Sequence, residues 1–184
     1  HRLTIFAVFL SFVFSGIVLA DSLSGASYNY TVYNWAIIGQ LNFEIGFLVD
    51  KLTAVMLVVV NFVSLMVHIY TIGYMSGDKG YKRFFCYISL FTFAMHMLVM
   101  SNNFLQLFFG WEAVGVVSYL LIGFWFKKNS AVHANLKAFL VNRVGDFGFL
   151  LGIGLVVAYA GSLDFSEVFS NVRSLSDITI SFFG

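Results

Sequence analysis

Four stretches of this chain run for about twenty residues with almost no charge, and a fifth comes close. A helix needs about 20 mostly apolar residues to cross the hydrocarbon of a bilayer. The stretches are residues 3–20, 49–74, 84–100, 104–126 and 138–160, and a sixth, cut short, is expected from Ile178. The rest of the composition agrees. Of 184 residues, 60% are apolar and 10% charged, with a mean hydropathy of +0.89. An ordinary soluble domain carries about 25% charged residues. So few charges cannot cover a water-facing surface of this size, and the solvent must be partly lipid. The expected fold is an all-α polytopic membrane protein, a bundle of about five transmembrane helices forming a single partial domain over residues 1–184. The run before Ala20 resembles a signal peptide, with Arg2 ahead of it, but is at the long end for one. The chain starts at His1 and stops inside an apolar run, and reads as a fragment.

Other classes fall away. The net charge of +1 gives no electrostatic case for nucleic acid. The single Cys86 makes no intrachain disulfide. No pair of histidines has ligand spacing, so no metal site is expected. There is no Cys or His framework for haem or an iron–sulfur cluster, and no phosphate-binding glycine loop after a strand. No cofactor is expected on this chain.

The basic residues orient the bundle. With five crossings, Arg2, Lys79, Lys82, Arg83, Lys127, Lys128 and Lys137 all fall on one side. Only Lys51 and Arg173 fall on the other. By the positive-inside rule the first set faces the cytoplasm or its topological equivalent. The segment 21–40 is polar, aromatic and β-branched, which predicts a short hairpin or an irregular loop on the outer surface. The turn Ser101-Asn102-Asn103 forces spans three and four to lie antiparallel and adjacent.

Charges inside spans are expensive, about 2.5–3.5 kcal/mol at a helix centre on insertion scales, and they usually serve function. Glu112 lies eight residues past Phe104, about 12 Å into its span. No lysine or arginine lies within fourteen residues of it. A carboxyl alone in oil resists ionisation and can exchange a proton near neutral pH, which makes Glu112 a candidate proton carrier. The alternative is a neutral, hydrogen-bonded structural group. Arg143 and Asp146 are spaced i,i+3 and share a helix face, a buried ion pair that serves a proton path or simply locks helices. His68 and His96 sit inside spans two and three, as proton relays or as neutral histidines bonded across helices. His133 falls in a loop. Small residues recur at Gly110, Ala113, Gly115 and Ser118, and again at Gly145, Gly148, Gly152 and Gly154, so spans four and five are expected to be packed interior helices.

Three motifs in order carry a family resemblance. Phe108-Phe-Gly-Trp-Glu112-Ala-Val-Gly-Val-Val-Ser-Tyr-Leu-Leu-Ile-Gly-Phe-Trp125 resembles the signature helix of the largest antiporter-like subunit of respiratory complex I, the subunit L and mitochondrial subunit 5 family. Lys137-Ala-Phe-Leu-Val-Asn-Arg143-Val-Gly-Asp146-Phe-Gly148 is similar to the next helix of that family. Asp50-Lys-Leu-Thr, His68-Ile-Tyr-Thr-Ile-Gly-Tyr-Met75 and Gly80-Tyr-Lys-Arg-Phe-Phe85 are similar to an earlier helix and loop. The resemblance implies a longer protein whose first helix and later half lie outside these residues. It implies that Glu112 is the family's essential glutamate and that Asp146 is an aspartate associated with pumping. The family's lysine partner of that glutamate has no counterpart here. It further implies proton translocation coupled to NADH oxidation and quinone reduction. NADH, FMN, iron–sulfur clusters and quinone would sit on other subunits, and the partners would be other membrane-arm subunits and the bilayer. A bacterial inner membrane is expected rather than a mitochondrial one. The related large subunit of multisubunit Na⁺/H⁺ antiporters shares the glutamate helix and is the alternative.

Overall fold

A computed structural model describes residues 1–38 and 41–170. The expected sixth span from Ile178, and Arg173, lie outside the described residues.

Five long helices form in chain order, with a β-hairpin between the first and second. They are α1 (Arg2–Leu23), β1 (Tyr28–Ile38), β2 (Leu41–Val49), α2 (Lys51–Tyr74), α3 (Tyr81–Val99), α4 (Phe104–Ile122), α5 (Asn129–Ala160) and the short α6 (Phe165–Ser170). Four of them, α1, α2, α4 and α5, are long and apolar enough to cross a membrane on their own. The helix α3 has 19 residues but carries Lys82, Arg83 and His96. It can be less apolar because it packs between α2 and α4 rather than against lipid on all sides. Each long helix packs on its sequence neighbour, α1 on α2, α2 on α3, α3 on α4 and α4 on α5, which is the pattern short connections impose.

Local chemistry sets the ends. Asp50 caps α2 by accepting from the Thr53 amide at 2.7 Å. Asn103 caps α4 by accepting from the Gln106 amide at 2.8 Å. Both satisfy amides that a helix start leaves free. Gly161 ends α5 in the left-handed region (φ 71°), where glycine carries no Cβ penalty. Helix α5 begins at Asn129, nine residues before its expected start, so His133 and Lys137 are helical and not in a loop. Its 32 residues extend about 48 Å, more than the roughly 30 Å of hydrocarbon, so polar first turns can lie beyond the membrane core.

The outer segment is an antiparallel hairpin, and its second strand reaches Val49. Val32 and Trp35 are extra residues in β1, where the register shifts. The hairpin is tied to the α3–α4 turn. The Leu48 amide donates to Met100 O at 2.9 Å, and the Gly46 amide donates to Gln106 Oε1 at 2.9 Å. Asn102 Nδ2 donates to Glu44 Oε1 at 3.1 Å and to Asn29 Oδ1 at 3.2 Å. On the far side of the turn, the Phe165 amide donates to Asn102 O at 3.1 Å and the Phe104 amide donates to Leu163 O at 3.0 Å. This end is closed by backbone and amide hydrogen bonds.

The opposite end gathers the cations. Trp125 Nε1 donates to Asp78 Oδ2 at 3.1 Å, and Arg83 Nη2 donates to Phe124 O at 3.3 Å. The His1 ring lies 5.7 Å from that of Tyr81. The three basic segments expected to share a side do share one end of the bundle.

The expectation of two packed interior helices holds for α4 alone. A Cβ on Gly110 would collide with the Leu98 backbone, so this glycine is what lets α3 and α4 approach. Helix α5 is an edge helix among the described residues, with only Asp146 and Ile153 buried. Nothing described lies within 4 Å of a Cβ placed at Gly145, Gly148, Gly152 or Gly154. That glycine stripe faces away from α4, its one close helical neighbour.

Candidate functional site

Glu112 is on α4, and Arg143 and Asp146 are on α5. The packing of these two helices brings all three together. Arg143 Nη1 donates to Glu112 Oε2 across the interface. Arg143 Nε lies 3.3 Å from Asp146 Oδ2, but is not aligned for a hydrogen bond and has no other described acceptor. The contact with Asp146 is therefore electrostatic, while the one with Glu112 is also a hydrogen bond. Asp146 is held by a third group, since Trp111 Nε1 donates to its Oδ1 at 2.8 Å. The Asp146 side chain is 8% exposed, that of Glu112 20% and that of Arg143 35%. The guanidinium also lies over the Phe139 ring, 5.1 Å from its centroid.

This corrects the reading of Glu112 as a carboxyl without a counter-ion. Its partner is 31 residues away in sequence, invisible to any local count. The packing of α4 on α5 allows it. Gly115, one turn along α4, lies beside Arg143, but a Cβ there would meet Nη2 at an ordinary contact distance of 3.7 Å, so the pairing does not require the glycine. The i,i+3 pairing of Arg143 and Asp146 is present, but as one half of a three-centre cluster of two carboxylates around one guanidinium. Trp111 was not singled out from sequence. Its place beside Glu112, one residue before it, was the available signal.

His68 belongs to a separate polar seam between α2 and α3. It is fully buried (0% exposed). Its Nδ1 lies 2.8 Å from Ser64 O, and its Nε2 lies 3.1 Å from Ser89 Oγ. Ser64 Oγ lies 2.6 Å from Thr92 Oγ1. A neutral ring satisfies this set: Nδ1–H donates to Ser64 O and Nε2 accepts from the Ser89 hydroxyl. His96 Nε2 is buried with no described partner. Neither histidine hydrogen-bonds to Glu112, Arg143 or Asp146. Of the five candidates, three form one cluster and two stand apart.

A row of apolar helices with a partly buried carboxylate–guanidinium–carboxylate cluster defines a polytopic membrane protein that carries charge within its spans. The comparisons give the family it resembles. Residues 35–85 match the model for the N-terminus of chain 5 of NADH–ubiquinone oxidoreductase (complex I). Residues 101–184 match the transmembrane model shared by NADH:quinone oxidoreductase and the Mrp antiporter. The chain is 63% identical over its whole length to NADH-quinone oxidoreductase subunit L of Neisseria meningitidis serogroup A, covering 28% of that protein. It is 48% identical over 93% of its length to subunit L of Rickettsia conorii, covering 26% of it. Two solved structures share the fold, each with a TM-score of 0.73 over 94% of this chain. One is a membrane-bound sulfane sulfur reductase, an archaeal respiratory membrane complex (23% identity, 26% of that chain). The other is the Mrp complex of Dietzia sp. (20% identity, 21% of that chain). The chain is similar to the subunit L family of NADH–quinone oxidoreductases and is an integral membrane protein of the bacterial type. It spans about a quarter of the length of the relatives it matches.

Proposed function

We propose that this segment carries a proton-transfer element of a membrane subunit that couples NADH oxidation and quinone reduction to proton movement. The observation behind the proposal is the position of Arg143, bonded to Glu112 on α4 while lying 3.3 Å from Asp146 on its own helix. One cation serves two carboxylates. In a medium of low dielectric, a carboxylate without its cation takes up a proton and a paired one releases it. A side-chain swing of Arg143 toward Asp146 leaves Glu112 unpaired, and Glu112 loads a proton. Its return displaces that proton. Trp111 positions Asp146 to receive the guanidinium. Arg143 thus converts an external electrostatic change into the loading and unloading of Glu112. His68 and His96 lie outside this step and act in packing.

The partners of this subunit would be the other membrane-arm subunits, and the redox groups would be on those and on the peripheral arm. The basic end of the bundle would face the cytoplasm, with the helix α3 as one of five crossings. A second reading, a subunit of a multisubunit Na⁺/H⁺ antiporter, is favoured by the shared transmembrane family model and the Mrp fold match. It uses the same three residues with a different energy source.

The test is Glu112→Gln in the full-length protein within its assembled complex, with NADH-driven acidification measured in sealed vesicles. Proton translocation is expected to fall at least about tenfold at normal assembly, within the usual effect of removing a proton-transferring group. Unchanged pumping at normal assembly would rule out this role for Glu112.

A further inference from the structure

The basic end of the bundle holds a cleft of about 440 Å³ between the α2–α3 turn and the α4–α5 turn. Lys79, Arg83, Lys127 and Lys128 line it with a single carboxylate, Asp78. None of these four cations forms a salt bridge among the described residues, where both ion pairs belong to Arg143. Asp78 is already committed. The Gly80 amide donates to its Oδ1 at 2.6 Å and Trp125 Nε1 to its Oδ2 at 3.1 Å. The Gly80 amide first, then the Trp125 bond and the fields of Arg83 and Lys128, hold this carboxyl below the usual range. Asp78 therefore works as a fixed strut between the two turns, leaving a surplus of positive charge.

The floor of the cleft is aromatic. The Arg83 guanidinium lies 4.7 Å from the centroid of the buried Phe124 ring and 5.4 Å from that of Phe126. Lys128 Nζ lies 4.8 Å from the centroid of Trp125. These contacts hold both cations in place while leaving most of their N–H groups free. Arg83 spends one on Phe124 O.

We propose that this cleft binds the phosphate of an anionic phospholipid headgroup. Charge complementarity gives the phosphate, and position gives the lipid. The cleft lies at the ends of the apolar helices, at headgroup level. Beside it, Tyr70 and Tyr74 are 69% and 55% exposed, a side-chain type that favours the membrane–water boundary. Tyr74 stacks on Tyr70 and packs near Trp125. Acyl chains of a lipid held here would run down this exposed apolar flank. An acidic soluble partner would leave that flank uncovered. Basic recesses between membrane helices are suited to such headgroups, with each lysine or arginine near the surface strengthening attraction. The inference rests on the membrane reading of the helices and is independent of the proton step at Glu112.

The experiment is native mass spectrometry of the full-length chain incubated with equimolar dioleoyl phosphatidylglycerol and dioleoyl phosphatidylcholine. A preference for phosphatidylglycerol is expected. It should fall about thirtyfold in Arg83→Gln/Lys128→Gln, from the loss of two interfacial cations. Lys127→Gln, at an exposed lysine, should lower it by a smaller factor without threatening the fold. Arg2→Gln/Lys137→Gln, which removes two cations outside the cleft, should leave it unchanged. Millimolar inorganic phosphate should not displace the lipid. Equal retention of both lipids would overturn the proposal. So would an equal loss of preference in the Arg2/Lys137 variant, or displacement by free phosphate, which would mark a site for soluble phosphate instead.

Discussion

Between α2 and α3 the buried polar groups are neutral, and between α4 and α5 they are charged. In the first seam, His68, Ser64, Ser89 and Thr92 bond to one another; Thr92 also donates to its own backbone at 2.9 Å, and Phe85 O at 2.8 Å is an alternative acceptor for the single Ser89 proton. A hydroxyl that loses one partner there has another at hand. The second seam has no such reserve. Two carboxylates share one guanidinium, and Trp111 holds only Asp146. Displacing Arg143 by a rotamer leaves a carboxylate unpaired in oil. The first arrangement is suited to holding helices in register. The second places one cation within reach of two carboxylates, the arrangement on which the proposed proton step rests.

Substitutions can break or sharpen that contrast. The largest effect is expected at Arg143. Arg143→Gln strands two carboxylates together, and breaking a buried pair by removing one partner costs about 3–5 kcal/mol. The half-exposed guanidinium places this case at the lower bound. Pumping in the full-length protein should be lost, and the thermal midpoint in detergent should fall. Survival of both would mean the cluster is incidental. Next is His68→Leu, which removes the two ring hydrogen bonds to Ser64 O and Ser89 Oγ at about 0.5–1.5 kcal/mol each. It should lower stability by chemical denaturation while proton translocation per NADH is kept. A specific loss of translocation at full assembly would move His68 into the proton path. Third is Asp146→Asn, which keeps an acceptor for Trp111 but removes the second carboxylate. Translocation should fall while stability shifts by about 1 kcal/mol or less. The smallest effect is Trp111→Phe, which removes one hydrogen bond worth about 0.5–1.5 kcal/mol. It should slow translocation without abolishing it.

Long apolar runs made the helices legible, since lipid exposure leaves little freedom in composition. The spans expected from residues 49 and 104 start within two residues of α2 and α4. The first turns of α5 were missed because residues 129–137 mix Lys, His and Asn with Ala and Leu, a pattern a water-facing helix end shares with a loop. The strand β2 lay outside the segment 21–40 read as a hairpin or loop, although Leu41, Phe43, Ile45, Phe47 and Val49 alternate with Asn42, Glu44 and Gly46 in the period of a strand. The candidate site was legible as residue types and not as a cluster. Glu112 drew attention as a costly charge, and Arg143 with Asp146 as an i,i+3 pair. That they form one group depends on α4 packing against α5, a tertiary fact with no local signature. The same holds for the clamp that Asn102 and Asn103 make on Glu44, which read from sequence only as a turn. Conversely, the Gly148 and Gly152 spacing suggested a helix contact that α4 does not make, because a small-residue pattern states what is permitted and names no partner.

The central claim is that Arg143 decides whether Glu112 carries a proton. Infrared difference spectroscopy of the full-length protein tests it, with Glu112→Gln identifying the band. The account predicts no protonated Glu112 carboxyl stretch in the resting wild type at neutral pH and its appearance in Arg143→Gln. An identical Glu112 signal in the two proteins, ionised or protonated, would contradict it.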